Sequence, residues 1–127
     1  MTSPTLTLAC TSAKEQDRLV FKSLLGILAQ TARPGQARWD YLAEGYADVV
    51  FVDMDEATPV YPKSEPGKPL SVVVGYSTDI EKARKSVFSL KKPARPKEFI
   101  ALLTMLEEHL AHKNDLTIPS MPALNLA

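Results

Sequence analysis

Apolar residues along this chain fall into two kinds of run. One alternates or is unbroken over a few positions, the other recurs at helical spacing, and the two kinds take turns. "TLTLAC", residues 5–10, steps between threonine and apolar side chains and predicts a first strand. In "SAKE", Ser12 and Glu15 make a capping-box pattern: the serine accepts from the N3 amide and the glutamate reaches back. Val20, Leu24, Ile27 and Leu28 then recur at helical spacing, which predicts an amphipathic helix over 13–30. "TARPGQ" ends it through Pro34 and Gly35. "RWDYL", 38–42, predicts a short second strand, and "VVFVD" completes a third over 48–53. The five residues "AEGYA" between them hold one helical turn at most.

The stretch 55–69, "DEATPVYPKSEPGKP", has four prolines and a glycine. Proline removes amide donors and restricts the residue before it, so no regular helix is expected there. "LSVVVGYS", 70–77, is continuous and β-branched, as a strand covered on both faces should be. "STDIEKARKS" predicts a short polar helix behind Ser77 and Thr78, and "VFSL" a fifth strand at 87–90. Pro96 suits the first turn of a last helix, whose face Phe99, Leu103, Leu106 and Leu110 carries it to about Ala111. This order predicts an α/β fold: a doubly wound, parallel, five-stranded sheet with shortened or missing middle helices. In such sheets ligands gather at the carboxyl ends of the strands. Cys10, Asp53, Ser77 and Lys92 all fall at such ends.

Composition narrows the class. With 127 residues, 45% apolar and 24% charged, the chain reads as one globular domain over 1–111, followed by a tail or linker over 112–127 towards a possible further domain. Its net charge of zero gives no electrostatic case for nucleic acid or an anionic membrane. A single cysteine allows no internal disulfide and suits a reducing cytoplasm. No apolar run is long enough to span a bilayer, and the N-terminus lacks the pattern of a signal peptide.

The strand ends carry a resemblance. "DVVFVD", 48–53, looks like the third strand of two-component receiver domains, whose final aspartate accepts a phosphoryl group. "VVVGYS" resembles their fourth strand, which ends in a hydroxyl residue, and "LKKPARPKEFIALLTML" resembles their fifth strand, Lys-Pro and final helix. The resemblance covers residues 5–111 in order and implies a flavodoxin-like, receiver-like fold. It implies Asp53 as the phosphoacceptor position, Ser77 as the hydroxyl and Lys92 as the lysine before a proline that is often cis. Receivers also carry an acidic pair after the first strand to hold Mg²⁺; here the text is "ACTSAKE". Mg²⁺ needs hard oxygen ligands, and phosphoryl transfer needs its charge. Phe88 also lies one residue further from Lys92 than the family's aromatic switch residue. The pattern is that of a pseudo-receiver, neither an enzyme nor a cofactor or metal binder.

Three other readings bear on the same residues. Asp55 and Glu56 either rebuild a cation site with Asp53 or form a solvated acidic loop, and an Asp53–Lys92 ion pair is expected to tether two strand ends. Cys10 sits where phosphotransferase IIB domains and low-molecular-weight phosphatases place a nucleophilic thiol. The phosphatase pattern needs arginine six residues on, where this chain has Gln16, and the loop has no glycine, so a buried thiol is the simpler reading. His109 and His112 have a spacing compatible with metal but no evident third ligand, and Trp39, Tyr41 and Tyr46 read as core or partial core.

The expectation is thus a cytoplasmic regulatory module of bacterial-type signal transduction, contacting a protein partner or a second copy through its final helix and adjacent strands. Ile100, Met105 and Leu106 form the second contact stripe of that helix. The alternative is an active phosphoacceptor using Asp53, and the third reading is Cys10-dependent phosphotransfer.

Overall fold

The structure, a computed structural model, describes residues 5–30, 37–43, 45–63 and 65–117, with side chains as far as 111. Among the described residues five strands and three helices follow in this order: β1 (Thr5–Cys10), α1 (Glu15–Gln30), β2 (Arg38–Tyr41), β3 (Val49–Asp53), β4 (Val72–Ser77), α2 (Ile80–Ala83), β5 (Phe88–Lys91) and α3 (Pro96–Thr117). The strands form one parallel sheet in the order β2-β1-β3-β4-β5, the flavodoxin-like arrangement expected from the sequence. No helix among the described residues is long and apolar enough to cross a membrane.

Strand alternation divides the core between two faces. Leu8, Val49, Phe51, Val74 and Tyr76 pack under α1 and α3, against Phe21, Leu24, Phe99, Leu103 and Leu106. Four rings meet there, with Phe21 at 4.6 Å from Phe51, 5.0 Å from Tyr76 and 5.9 Å from Phe99 between centroids. The opposite face holds a smaller cluster, Val50, Val52, Ala47 and Met54, with Ala9, Leu42 and Val73 against it. Among the described residues, the β2–β3 connection, the 54–71 loop and the four-residue α2 are what cover that side. Gly75 lets α2 come close: a Cβ there would stand 2.1 Å from the Ala83 carbonyl oxygen, so the helix would have to move for any other residue.

Several boundaries differ from the sequence expectation. The first helix starts at Glu15 and buries Phe21 where Ile27 was expected; Ile27 is 39% exposed. β4 begins at Val72, because Leu70 and Ser71 precede its pairing with β3; the Ser71 hydroxyl donates to the Ala47 carbonyl. β5 is shifted by one residue, Phe88 being the first to pair with β4, and Val87 is 95% exposed. α3 runs six residues past 111, to Thr117, and residues 118–127 lie outside the described part. Leu106 does not belong to an outer stripe: it is fully buried, while Met105 is exposed and Ile100 half-buried.

Candidate functional site

Asp53 ends β3 on the same face as Val49 and Phe51, so its side chain enters the α1 side of the sheet at the carboxyl edge. It is 0% exposed. Oδ1 accepts from the Lys92 ammonium at 2.7 Å and from the Asp55 amide at 3.0 Å. Oδ2 accepts from the Ser12 hydroxyl at 3.1 Å. Lys92 arrives from the end of β5, where the Lys92–Pro93 peptide is cis, and its amide is held by the Ser77 carbonyl at 2.7 Å.

The ammonium of Lys92 has three carboxylates around it: Asp53, Asp17 at 2.9 Å and Asp55 at 3.4 Å. It also lies 5.2 Å from the centre of the Tyr76 ring. Three carboxylates about one ammonium leave the cluster with a formal charge of −2. Ser12 joins Asp53 to Asp17, its single hydroxyl proton shared between acceptors at 3.1 and 2.8 Å. Arg18 closes the α1 side by donating to the Ser12 carbonyl at 2.8 Å.

On the solvent side Asp55 is the hub. It accepts from the Ser77 hydroxyl, from the Thr78 amide at 3.1 Å and from the Thr78 hydroxyl at 3.2 Å. Asp79 follows as the N-cap of α2, accepting from the Glu81 amide, and its own amide donates to Ser77 Oγ at 3.0 Å. Glu56 reaches the other way, accepting from the Ala13 amide at 3.0 Å.

The electrostatics follow from this packing. Burial pushes the Asp53 carboxyl up, but Lys92, the Asp55 amide and Ser12 outweigh it and hold it below its ordinary range. Asp55 is likewise raised by burial and then drawn down to about 2 by Ser77, Thr78 and Lys92. For Lys92 burial favours the neutral amine, but Asp53 and Asp17 reverse the effect and raise its pKa above the usual lysine value. A depressed carboxyl contributes stability above its unfolded value, 3.8 here, that is lost as pH falls towards about 2. A raised lysine contributes stability below 10.5 that is lost as pH climbs through its folded value. The urea midpoint is therefore expected to stay level across neutral pH and to fall below about pH 4. Asp55→Asn should remove roughly 2 kcal/mol at pH 7 and flatten the acid limb. An unchanged acid limb in that variant would contradict the assignment.

Of the residues singled out in the sequence, Asp53, Asp55, Ser77 and Lys92 come together. The expected Asp53–Lys92 pair is present, and it is buried. Asp55 is part of the cluster, not of a solvated loop. Ser12 does not make the expected capping box: its hydroxyl accepts from the Lys14 amide at 3.1 Å and turns its proton inward. Cys10 is half-buried beside the main core, where desolvation pushes its thiol up to about 11 against the pull of the Ser12 amide. His109 packs edge-on against Phe88 at 5.2 Å, and the His112 side chain lies outside the described part. Trp39 is buried and donates to Glu107 at 2.8 Å.

Asp17 was not singled out from the sequence. The signal for it lies in spacing: Asp17, Phe21, Leu24 and Leu28 share one helical stripe, so the acid stands one turn ahead of the buried phenylalanine. Mg²⁺ demands oxygens in near-octahedral array at about 2.0–2.1 Å. The carboxylate oxygens here are turned onto an ammonium, and no group of three metal-ligating side chains is disposed to hold an ion among the described residues. The residues present do not fit that metal. No protein-family model, curated protein or solved structure matches the chain.

Proposed function

We propose that this protein is a receiver-like regulatory module of bacterial-type signal transduction, acting by protein–protein contact without phosphorylation of Asp53. The observation that carries the reading is the state of that aspartate: fully buried, both oxygens hydrogen-bonded, and ion-paired to a lysine of the same chain. A phosphoryl donor would have to displace Lys92 and Ser12 before reaching a carboxylate oxygen, with no divalent charge to offset its own. The raised thiol pKa of Cys10 makes it a poor nucleophile at neutral pH, which argues against the thiol-transfer reading.

The contact surface in this reading lies along β5 and α3. Leu70, Val87 and Met105 are 67%, 95% and 55% exposed there. A cleft of about 500 Å³ is lined by Leu70, Val72, Val87, Phe88 and His109. Exposed apolar surface of this kind is usually covered by a partner. Zero net charge puts no long-range repulsion between copies, so the occupant proposed is a second molecule of this chain.

The test treats the protein with Mg²⁺ and a small acyl phosphate, follows intact mass, and sizes it by sedimentation over a concentration series. The expected result is no adduct at Asp53 and concentration-dependent association that Met105→Glu abolishes. A stoichiometric adduct on Asp53 would favour the second reading, a phosphoacceptor response regulator, which the convergence of Asp17 on Asp53 supports. A chain that stays monomeric throughout overturns the proposed surface.

A further inference from the structure

Four donors from two strand ends converge on one carboxylate at the solvent edge of the cluster. They are the Ser77 hydroxyl, the Thr78 amide and hydroxyl, and the Lys92 ammonium, and the carboxylate is that of Asp55. A mixture of hydroxyl, amide and ammonium donors is what proteins present to tetrahedral oxyanions, which have more acceptor oxygens than a carboxylate. Ser77 is 0% exposed and Lys92 only 8%, so two of the four donors are fixed by the core and do not form as an accident of a mobile surface. The anion they hold comes from a turn just past β3, and its side chain is 20% exposed.

We propose that Asp55 is an intramolecular ligand: its carboxylate fills an oxyanion site of the phosphate class and keeps the β4–α2 corner in its liganded arrangement. This rests on reading the pocket as satisfied from within, and it names what satisfies it. Ser77 links the carboxylate to α2, since it donates to Asp55 and accepts from the amide of Asp79, the N-cap. The corner therefore stays set without any phosphodonor, and the site is closed to free oxyanions while Asp55 is in place. With the carboxylate removed, Asp17, Asp53 and Lys92 leave a formal −1 behind the cradle, so a free oxyanion binds weakly.

The test titrates inorganic phosphate, without Mg²⁺ and at constant ionic strength, and follows the Thr78 amide by NMR in wild type and in Asp55→Ala. The variant is expected to show a saturable shift with half-saturation at least tenfold lower than wild type, and Ser77→Ala in the same background should abolish it. Should Asp55→Ala not fold, Asp55→Asn, which keeps the shape of the turn, carries the titration. Equal responses in wild type and variant, or a response that survives Ser77→Ala, overturn the inference. Inorganic phosphate transfers nothing to Asp53, so an adduct from an acyl phosphate would defeat the proposed function and leave this outcome unaffected.

Discussion

Lys92→Met is expected to lower the unfolding free energy by about 3–5 kcal/mol, the loss seen when one partner of a buried ion pair is removed, and the melting temperature by roughly 10–20 °C. Methionine roughly preserves length and apolar volume, so the effect isolates the ammonium. What it leaves is Asp17, Asp53 and Asp55 facing one another without their cation, one of them wholly buried. The loss should narrow as pH falls, because a carboxylate without its ammonium takes up a proton more readily. Lys91→Met is the control: Lys91 is exposed, and its substitution should stay within about 0.5 kcal/mol. Urea denaturation of both variants checks this, and a loss below about 1 kcal/mol for Lys92→Met would show that the cluster is not held by its lysine.

Phe21→Ala should cost about as much, 3–5 kcal/mol, by a different route: a cavity among Phe51, Tyr76 and Phe99 that none of those rings can fill without leaving the others. Ile27→Ala on the same helix, at a half-exposed position, should cost under about 1 kcal/mol. Asp17 stands one turn ahead of Phe21, so a loosened α1 withdraws one of the acids from Lys92. The two large losses should therefore fall short of their sum in the double variant, by on the order of 1 kcal/mol. Additivity would mean that core and cluster are energetically separate.

The sheet was legible because its signal is local. Runs such as Val49–Asp53 and Val72–Ser77 announce strands, and an acid or hydroxyl at the end of each run falls at one edge of any parallel sheet. That was enough to bring Asp53, Ser77 and Lys92 together. The rest depended on angles that periodicity does not carry. A helical stripe says which residues share a face, but not how the helix is rotated over the sheet, and a small rotation exchanges Ile27 for Phe21 and points Asp17 inward. Ser12 has one hydroxyl and two uses for it, a cap or a link between carboxylates, and only the position of Asp53 decides. Asp55 looked like loop chemistry because it sits beside Glu56 at the head of a proline-rich stretch; the donors that claim it come from the far end of β4.

The sequence distances inside the cluster bear on time as well as on stability. Lys92 lies 75 residues from Asp17 and 39 from Asp53, so these contacts are expected to close late in folding. Interactions completed that late are absent from the transition state, and such interactions slow unfolding while leaving the folding rate nearly untouched. In a chevron, the loss caused by Lys92→Met belongs on the unfolding arm. The clasp at the carboxyl edge thus bears on the lifetime of the folded domain, and its loss should show first as faster unfolding.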